Sequence, residues 1–414
     1  MQKKFFENLL FLIFVNIIVK PLWVLGVERN VQNTVGEEQY GIYFTMFNLS
    51  FILNIVLDMG INIYNTKLIA TNPEKLVHTY LGLAYAKMAL AVVYLIISLV
   101  IGFSLGYNHL HLKIFLFILF NQILIGLIAY NRSCIIGLQL FKWDSFFSVF
   151  DKVLLIISTL VVLNLYLNQF NIFTFAFLQT ICLLISLLFS LILIFKNHSF
   201  IKRDIDFKNV KTIFKEALPY ALMIFLMSIY YRIDGILINK LLIDGNKEAG
   251  IYAAGYRIYD AISNILILFG NILLPLYARY ISDKVMLTQL SKFAFLFILV
   301  VTCSTIGIGY YFRYELIDLL YHRNDIYWIQ IYFTLLCSLV GIGAVYIYGS
   351  LLTAVGKIKT INIIVGFGVI LNIGTNLYFI PQYKALGAAI SFCITQTVMG
   401  ILHFIYGRKY LNSI

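Results

Sequence analysis

The chain has 414 residues, of which 61% are hydrophobic and only 12% are charged. Soluble domains usually carry about 25% charged residues, so this composition excludes an ordinary soluble protein and indicates a polytopic membrane protein. A net charge of +12 would suggest a nucleic-acid partner for a soluble protein. In a membrane protein the same cations act as topology signals, and we expect no nucleic-acid partner.

Long apolar segments recur along the whole chain, and about 20 apolar residues are enough for a helix to cross a bilayer. The first segment, Leu9 to Val27, is too long for a signal-peptide core and lacks a small-residue cleavage site, so we expect it to be retained. The predicted fold class is all-α and polytopic, with twelve transmembrane helices. They are expected at residues 8–27, 40–62, 81–105, 113–137, 146–167, 172–195, 217–241, 249–276, 290–312, 329–353, 359–380 and 386–407.

The distribution of cations predicts the topology. With the N-terminus in the cytoplasm, 19 of the 31 Lys and Arg residues fall on the inside, 7 on the outside and 5 within the spans. Because cytoplasmic loops are rich in Lys and Arg, this bias predicts that both termini are cytoplasmic.

A polar, basic stretch near the midpoint predicts the domain organisation. Residues 197–216 are expected to form a cytoplasmic linker, and Phe207, Val210 and Phe214 recur there at helical spacing. This spacing favours a basic amphipathic helix, with a plain solvated connector as the alternative. The linker would separate an N-terminal six-helix lobe, 1–196, from a C-terminal six-helix lobe, 217–414.

A short sequence repeat supports two related lobes. Gly41-Ile42-Tyr43 opens the second predicted helix, and Gly250-Ile251-Tyr252 opens the eighth. Six helices in each lobe place both lobes in the same orientation, so repeats would be parallel ones.

Charges inside the predicted spans are the candidate functional residues. An arginine at mid-membrane depth costs about 2.5–3.5 kcal/mol, so Arg232 needs a partner, a wet cavity or an anionic ligand. Asp234 is two residues away on another face of the helix and cannot neutralise it. Arg257 and Asp260 are spaced i, i+3 and can form an ion pair, which leaves a purely structural role open. Asp234 and Asp260 are also candidates for ion coupling.

Three lysines complete the set of cations within the spans. Lys87 and Lys152 lie close enough to the predicted cytoplasmic ends of their helices to reach the interface, so a structural role is as plausible as substrate guidance. Lys20 lies deeper and immediately precedes Pro21, which kinks a helix and suits a cavity wall.

Tyrosines surround these charges at positions 230, 231, 256 and 259. Tyr230, Tyr231, Tyr256 and Tyr259 could stack on sugar rings in a wet cavity, or they could belong to an ordinary interfacial belt.

Motifs of the common enzyme classes are absent from the sequence, which contains no HExxH, GxSxG or Walker loop. The five cysteines include no CxxC pair, so neither a disulfide framework nor a zinc site is expected. We therefore expect a non-enzyme without a metal or a cofactor.

Eight short stretches, most of them in the second half of the chain, form a recognisable series. They are Val35-Gly36-Glu37-Glu38-Gln39-Tyr40-Gly41, Ala217-Leu218-Pro219, Arg232-Ile233-Asp234-Gly235-Ile236-Leu237, Gly250 to Arg257, Leu274-Pro275, Leu371-Asn372, Phe379-Ile380-Pro381-Gln382-Tyr383 and Gly387-Ala388-Ala389-Ile390. Together these stretches resemble the polysaccharide flippases of the multidrug/oligosaccharidyl-lipid/polysaccharide (MOP) superfamily, the Wzx-like exporters of O-antigen and capsule repeat units. Lys384 stands where that family often has glycine.

The resemblance implies two six-helix bundles arranged as V-shaped, MATE-like lobes around a cavity that opens alternately to each side. It implies a multi-pass protein of the bacterial cytoplasmic (inner) membrane that flips an undecaprenyl-diphosphate-linked oligosaccharide to the outer leaflet. Cavity cations would meet the diphosphate: Arg232 first, with Arg257, Lys20, Lys87 and Lys152 as helpers. The implied partners are the lipid-linked oligosaccharide, membrane lipid, a polysaccharide polymerase and glycosyltransferases.

Three other functions stay open from the sequence. A MATE-type drug/cation antiporter should have an acidic cavity, and a lipid II flippase should have helices beyond twelve. A membrane glycan polymerase or acyltransferase should have a large external loop.

Overall fold

The computed structural model describes residues 15–16, 18–19, 21–196, 207–281, 283–323 and 325–413. Over these residues the chain is helical, with short turns and no strand. It divides into two compact units, each built from two chain segments. Unit N comprises Met1–Val27 and Met46–Phe225, and unit C comprises Glu28–Thr45 and Leu226–Ile414.

Fifteen α-helices are present in the described residues, numbered in chain order. The helices up to the midpoint follow π-helical turns at Leu22–Glu28. They are α1 (Arg29–Leu53), α2 (Ile55–Asp58), α3 (Ile61–Thr71), α4 (Lys75–Ser104), α5 (His109–Gly137), α6 (Phe141–Phe147), α7 (Phe150–Leu165) and α8 (Ile172–Lys196). The remaining helices are α9 (Phe207–Leu241), α10 (Gly245–Arg279), α11 (Lys284–Tyr311), α12 (Arg313–Tyr321), α13 (Ile326–Cys337), α14 (Leu339–Ala354) and α15 (Ile358–Ser413).

Ten helical stretches of the described residues are long and apolar enough to cross a membrane. The last of them, Ile358–Asn412, has 55 residues and would extend about 80 Å, against about 30 Å of hydrocarbon. Because it bends at Lys384, it has the length and the break for two spans. The prediction of an all-α polytopic membrane protein is confirmed. The first predicted span, 8–27, falls partly outside the described residues, so the count of twelve stays a prediction.

Side-chain caps explain where several helices begin. The side chain of Asn108 accepts a hydrogen bond from the backbone N–H of His111 at the start of α5 (2.8 Å). Asp283 does the same for Met286 at α11, and Asp325 for Tyr327 at α13. Each cap satisfies a backbone donor that the first helical turn leaves unpaired.

The predicted span 40–62 is not one continuous helix. Helix α1 runs through most of it and ends at Leu53, after which α2 and α3 follow. Met59 and Gly60 both have a left-handed backbone conformation, with φ of 44° and 88°. Such residues end a helix, and the sequence pattern of apolar residues does not reveal this break.

The predicted linker 197–216 is described only in part. Residues 197–206 lie outside the described residues, and Phe207 begins α9, which continues through Pro219 to Leu241. The compact units and the predicted lobes have different bounds in two segments, since Glu28–Thr45 belongs to unit C and residues 217–225 belong to unit N. Within unit C, Gln32 donates to the carbonyl of Gly250 (2.9 Å), and Thr45 donates to the carbonyl of Gly235 (3.3 Å).

Unit N is held together by buried polar contacts between its helices. Tyr80 of α4 donates to Asn131 of α5 (2.8 Å), and Asn131 donates to Ser190 of α8 (2.8 Å). Asn65 of α3 donates to Ser133 of α5 (2.7 Å). Because lipid supplies no competing hydrogen bonds, such side-chain contacts fix the packing of membrane helices.

Candidate functional site: a buried charge cluster in unit C

Helices α9 and α10 carry the four charged residues that the sequence singles out in this half of the chain. Arg232 and Asp234 lie on α9, and Arg257 and Asp260 lie on α10. Both helices belong to unit C over these positions, and both are long and apolar enough to span a membrane. The charges therefore lie inside apolar helices, where each needs a compensating group.

Arg232 is paired loosely with Asp260. The Nη2 atom of Arg232 lies 3.8 Å from Oδ1 of Asp260, and its guanidinium lies 5.3 Å from the centre of the Tyr256 ring. Asp260 also accepts a hydrogen bond from Asn264, at 3.2 Å. The side chains of Arg232 and Asp260 keep 17% and 28% of their surface exposed. This pair is longer than a charge-assisted hydrogen bond of about 2.8 Å, so it holds the two side chains together weakly.

Arg257 is bound far more completely. Its side chain is 3% exposed, with Nε 3.4 Å from Oε2 of Glu28 and Nη1 donating to the hydroxyl of Tyr321 (3.0 Å). The guanidinium also lies 4.6 Å from the centre of the Tyr40 ring. Burial raises the pKa of Tyr321, which therefore stays protonated and donates in turn to the carbonyl of Ala254 (3.1 Å).

The ion pair predicted between Arg257 and Asp260 is not formed among the described residues. Each residue has another partner, Glu28 for Arg257 and Arg232 for Asp260. Spacing along one helix shows which side chains can meet, but carboxylates and cations from other segments compete for the same partners. The charges of Arg232, Arg257, Glu28 and Asp260 interact as one group, here called the charge cluster.

Glu28 was missed from the sequence. It lies at the end of the first predicted span, next to Arg29, where it resembles an ordinary residue of an outer loop. Only the packing of Glu28–Thr45 with unit C brings it to Arg257. The two arginines of α9 and α10 need two carboxylates to balance their charge. Asp260 is one of them, so the need for a second carboxylate was the signal that could have revealed Glu28.

Asp234 is 1% exposed and lies in a network of neutral donors. Its Oδ1 accepts from Asn372 (3.1 Å) and Asn376 (2.6 Å), and its Oδ2 accepts from Tyr252 (2.9 Å). No Lys or Arg of the described residues forms an ion pair with it. Asn372 and Asn376 are spaced i, i+4 on α15, a spacing that puts both amides on one helix face. This repeat was the signal that could have revealed Asn376.

The four candidate sugar-contacting tyrosines are packed against other aromatic rings. Tyr230 and Tyr231 stack with ring centres 4.4 Å apart, and Tyr256 and Tyr259 contact each other and Phe392. The exposed fractions of Tyr230, Tyr256 and Tyr259 are at most 4%. Sugar contact by these rings stays a prediction, and it requires a conformation in which they are more exposed.

The three candidate lysines differ in how they are placed. Lys87 is buried in unit N, where its Nζ forms a 2.7 Å ion pair with Asp58 and also donates to the carbonyl of Leu57 (3.3 Å). Lys152 pairs with its neighbour Asp151 at 2.9 Å and is 31% exposed. Lys20 lies outside the described residues.

The fold defines the class of protein. The chain superposes on an inward-facing MATE multidrug-resistance transporter of the MOP superfamily with a TM-score of 0.69 and 15% identity, over 96% of this chain and 94% of the other. The outward-facing conformation of such a transporter gives a TM-score of 0.68 at 14% identity, over 98% of this chain and 96% of the other. A MOP-superfamily transporter from Pyrococcus furiosus is described as having a binding pocket of reversed polarity. It superposes with a TM-score of 0.62 at 14% identity, over 98% of this chain and 96% of the other. The protein is thus a multi-pass membrane protein with the MOP-transporter fold.

The sequence identifies the family within that fold. Residues 5–281 match the family described as "Polysaccharide biosynthesis protein", and the chain belongs to it. An uncharacterised membrane protein of Methanocaldococcus jannaschii is 26% identical over 405 residues, which cover 91% of this chain and 92% of the relative. The family resemblance predicted from the sequence is confirmed.

Proposed function

We propose that the protein is a flippase. It moves an undecaprenyl-diphosphate-linked oligosaccharide, the repeat unit of an O-antigen, capsule or exopolysaccharide, from the inner to the outer leaflet of the cytoplasmic membrane by alternating access. Membership of the polysaccharide biosynthesis family supports the substrate class, and the MOP-transporter fold supports transport rather than synthesis. The proposal places both termini in the cytoplasm, as the distribution of Lys and Arg predicts.

The loose Arg232–Asp260 ion pair is the observation that carries this proposal. At 3.8 Å it contrasts with the 2.7 Å pairs Lys87–Asp58 and Arg132–Asp144 in unit N. A diphosphate offers Arg232 short, bidentate hydrogen bonds that this geometry does not give it with Asp260. The substrate therefore takes the place of Asp260, and the pair re-forms after release.

Arg257 has a supporting role in this proposal. Its contacts with Glu28, Tyr40 and Tyr321 hold it in place, so it contributes a fixed positive charge beside Arg232. Without such a site, a diphosphate would have to enter hydrocarbon as an isolated charge, at a very large cost.

Coupling to an ion is assigned to Asp234. A buried carboxylate that has only neutral hydrogen-bond partners can change its charge by taking up a proton or a sodium ion. The membrane potential also drives export, since an inside-negative potential favours outward movement of an anion by about 2.3 kcal/mol per charge per 100 mV. In this proposal transport is driven by coupling to a proton or sodium ion and by the membrane potential, and only the ion coupling needs Asp234.

The remaining predicted site residues keep secondary roles. Lys20 is proposed to help at the outer side, and Lys87 and Lys152 to guide the headgroup from the cytoplasm. The polysaccharide polymerase and glycosyltransferases are proposed as functional partners, because the glycan must be assembled before export and extended after it.

Transport by the purified protein tests the proposal and its rivals together. The protein is reconstituted in liposomes that carry a fluorescent polyprenyl-diphosphate oligosaccharide, and its appearance in the opposite leaflet is followed by quenching. Parallel liposomes contain a cationic dye or lipid II. Flipping of the oligosaccharide lipid alone, without chain extension or acylation, is the expected result. Transport of the dye or of lipid II alone would support a drug antiporter or a cell-wall precursor flippase instead.

A further inference from the structure

A small pocket in unit C lies apart from the charge cluster's loose ion pair. It has a volume of about 290 Å³ and lies between the start of α1 and the turn that joins α12 to α13. Its lining includes Gln32, Asn33, Glu37, Tyr321, Arg323 and Trp328. Two polar contacts join its walls: Asn33 donates to the carbonyl of Leu320 (2.9 Å), and Arg323 pairs with Glu37 (2.7 Å). We call this site the Gln32 pocket.

Gln32 has a buried acceptor without a protein donor. The residue is 2% exposed, and its Nε2 donates to the carbonyl of Gly250 (2.9 Å), which fixes the orientation of the amide. No donor among the residues that the structure describes reaches its Oε1. Nearly every buried acceptor in a folded protein is paired, so this atom is suited to a hydroxyl group of a ligand in the pocket.

The rest of the lining indicates the chemistry of that ligand. The charged groups Arg323 and Glu37 neutralise each other, so the pocket has no unbalanced charge to attract an ion. The rings of Trp328 and Tyr321 lie 5.4 Å apart and form an apolar wall. Aromatic surface combined with amide and carboxylate groups suits a ring that has both C–H faces and hydroxyl edges.

We propose that the Gln32 pocket binds one neutral sugar ring of the transported glycan, with Gln32 Oε1 accepting a hydrogen bond from a sugar hydroxyl. This inference rests on the proposed function for the source of the sugar. In the predicted topology the pocket lies at the outer ends of the helices, so it receives the glycan while the diphosphate is near Arg232. The pocket volume admits a single ring rather than a chain.

Backbone conformation shows how the pocket is kept open. Gly36 lies in its wall with φ 83° and ψ 166°, a conformation that is essentially restricted to glycine, and a Cβ there would face open space. His322, on the opposite wall, has a left-handed conformation with φ 52°. Two unusual backbone positions on facing walls support a built site rather than a gap in packing.

The test compares a variant that fills the pocket with a matched control. Asn33→Trp places a large ring in the pocket from an exposed position and leaves the Gln32–Gly250 contact in place. Gln39→Trp makes the same kind of change on α1 at an exposed position outside the pocket. Binding of glucose, galactose, mannose and N-acetylglucosamine to the detergent-solubilised protein is measured by saturation-transfer NMR, with glycerol as an acyclic control.

The expected result is saturation transfer to at least one sugar, and none to glycerol, in the wild type and in Gln39→Trp. Asn33→Trp should weaken this binding by about tenfold or more, and Gln32→Met by about three- to tenfold, the loss of one hydrogen bond. Absence of binding to every sugar, or equal binding by Asn33→Trp, overturns the proposal. Thermal unfolding confirms that each variant is folded.

A second measurement separates this inference from the proposed function. If Arg232→Ala abolishes glycan export while Asn33→Trp neither weakens sugar binding nor reduces export, the pocket proposal fails and the flippase proposal stands. If Arg232→Ala exports the glycan normally, while the wild type binds sugar and Asn33→Trp does not, the proposed role of Arg232 fails and the sugar site stands.

Discussion

Gly41 and Gly250 face each other where α1 crosses α10 in unit C. A Cβ on Gly41 would lie 2.8 Å from the backbone nitrogen of Gly250 and would overlap the carbonyl oxygen of Asn246. A Cβ on Gly250 would lie 2.7 Å from the carbonyl carbon of Glu37. The backbones therefore touch directly, and neither position admits a side chain.

Replacing Gly250 by alanine should force α1 away from α10. Because backbone atoms cannot move aside as a side chain can, we expect destabilisation of about 1–3 kcal/mol and a lower unfolding temperature in detergent. Gly374→Ala is the control, since a Cβ at Gly374 would meet no atom within 4 Å and alanine favours a helix. An unfolding temperature of Gly250→Ala equal to or above that of Gly374→Ala would contradict this account of the crossing.

The Gly-Ile-Tyr repeat illustrates how far the sequence leads. It marks Gly41 and Gly250 as notable, and the predicted relationship is a parallel repeat of two lobes. The structure adds that the two copies contact each other in one unit, and that Tyr252 of the second copy donates to Asp234. Pattern alone shows that two segments are alike, whereas tertiary packing decides whether they meet.

Asp234→Asn should uncouple transport from its driving ion. The amide keeps the shape of the carboxylate but cannot change its charge, so export should lose its response to an imposed proton or sodium gradient. The expected effect on gradient-driven flipping in liposomes is about tenfold, within the usual range of coupling between two sites. Asp244→Asn, an exposed substitution in the turn between α9 and α10, should flip lipid normally. A gradient response that survives in Asp234→Asn would exclude this residue from coupling.

Lys384 occupies a backbone conformation that favours glycine. Its φ of 54° and ψ of −131° are unfavourable for a residue with a Cβ, and its Nζ pairs with Asp244 at 2.9 Å. Lys384→Gly and Lys384→Ala both lose the ion pairs of Lys384 with Asp244 and Glu248, so the comparison between them reports the effect of the backbone conformation. The glycine variant should be more stable by about 1–3 kcal/mol in thermal unfolding.

The neighbouring Gln382 provides the control for this comparison. It is exposed and helical, so alanine should there be more stable than glycine by about 1 kcal/mol, the reverse order. If alanine were also the more stable residue at position 384, the strain at Lys384 would be refuted.

The ion pair between the buried Lys87 and the partly exposed Asp58 separates a structural lysine from one that guides substrate. Lys87→Met leaves Asp58 without its cation and should destabilise the protein by about 1–3 kcal/mol, less than for a fully buried pair because water reaches the carboxylate. Adding Asp58→Asn removes the unpaired charge and keeps an acceptor for the backbone N–H of Asn62, so stability should largely return. The structural role and the substrate-guiding role are distinguished by measuring glycan export with equal amounts of each variant protein. Export restored in the double variant shows a structural role, and export that stays low shows that Lys87 itself meets the substrate.

The sequence predicted the class, the family and the positions of the buried charges, because apolar length and charge inside apolar helices are local signals. It could not predict which charges would pair. Arg257 finds Glu28, which is more than 200 residues away, and Asp260 finds Arg232 rather than its own helix neighbour. The break at Met59 and Gly60 was missed for a related reason, since an apolar pattern continues through a change in backbone direction.

Flipping by Arg232 variants tests the central claim most directly. Liposomes with equal amounts of wild-type protein, Arg232→Lys, Arg232→Ala or the control Arg279→Ala are given the fluorescent polyprenyl-diphosphate oligosaccharide, and the initial rate of transfer is measured. The account predicts that alanine lowers the rate at least about tenfold, that lysine keeps part of it, and that Arg279→Ala matches the wild type. A rate for Arg232→Ala equal to that of the wild type would contradict the account.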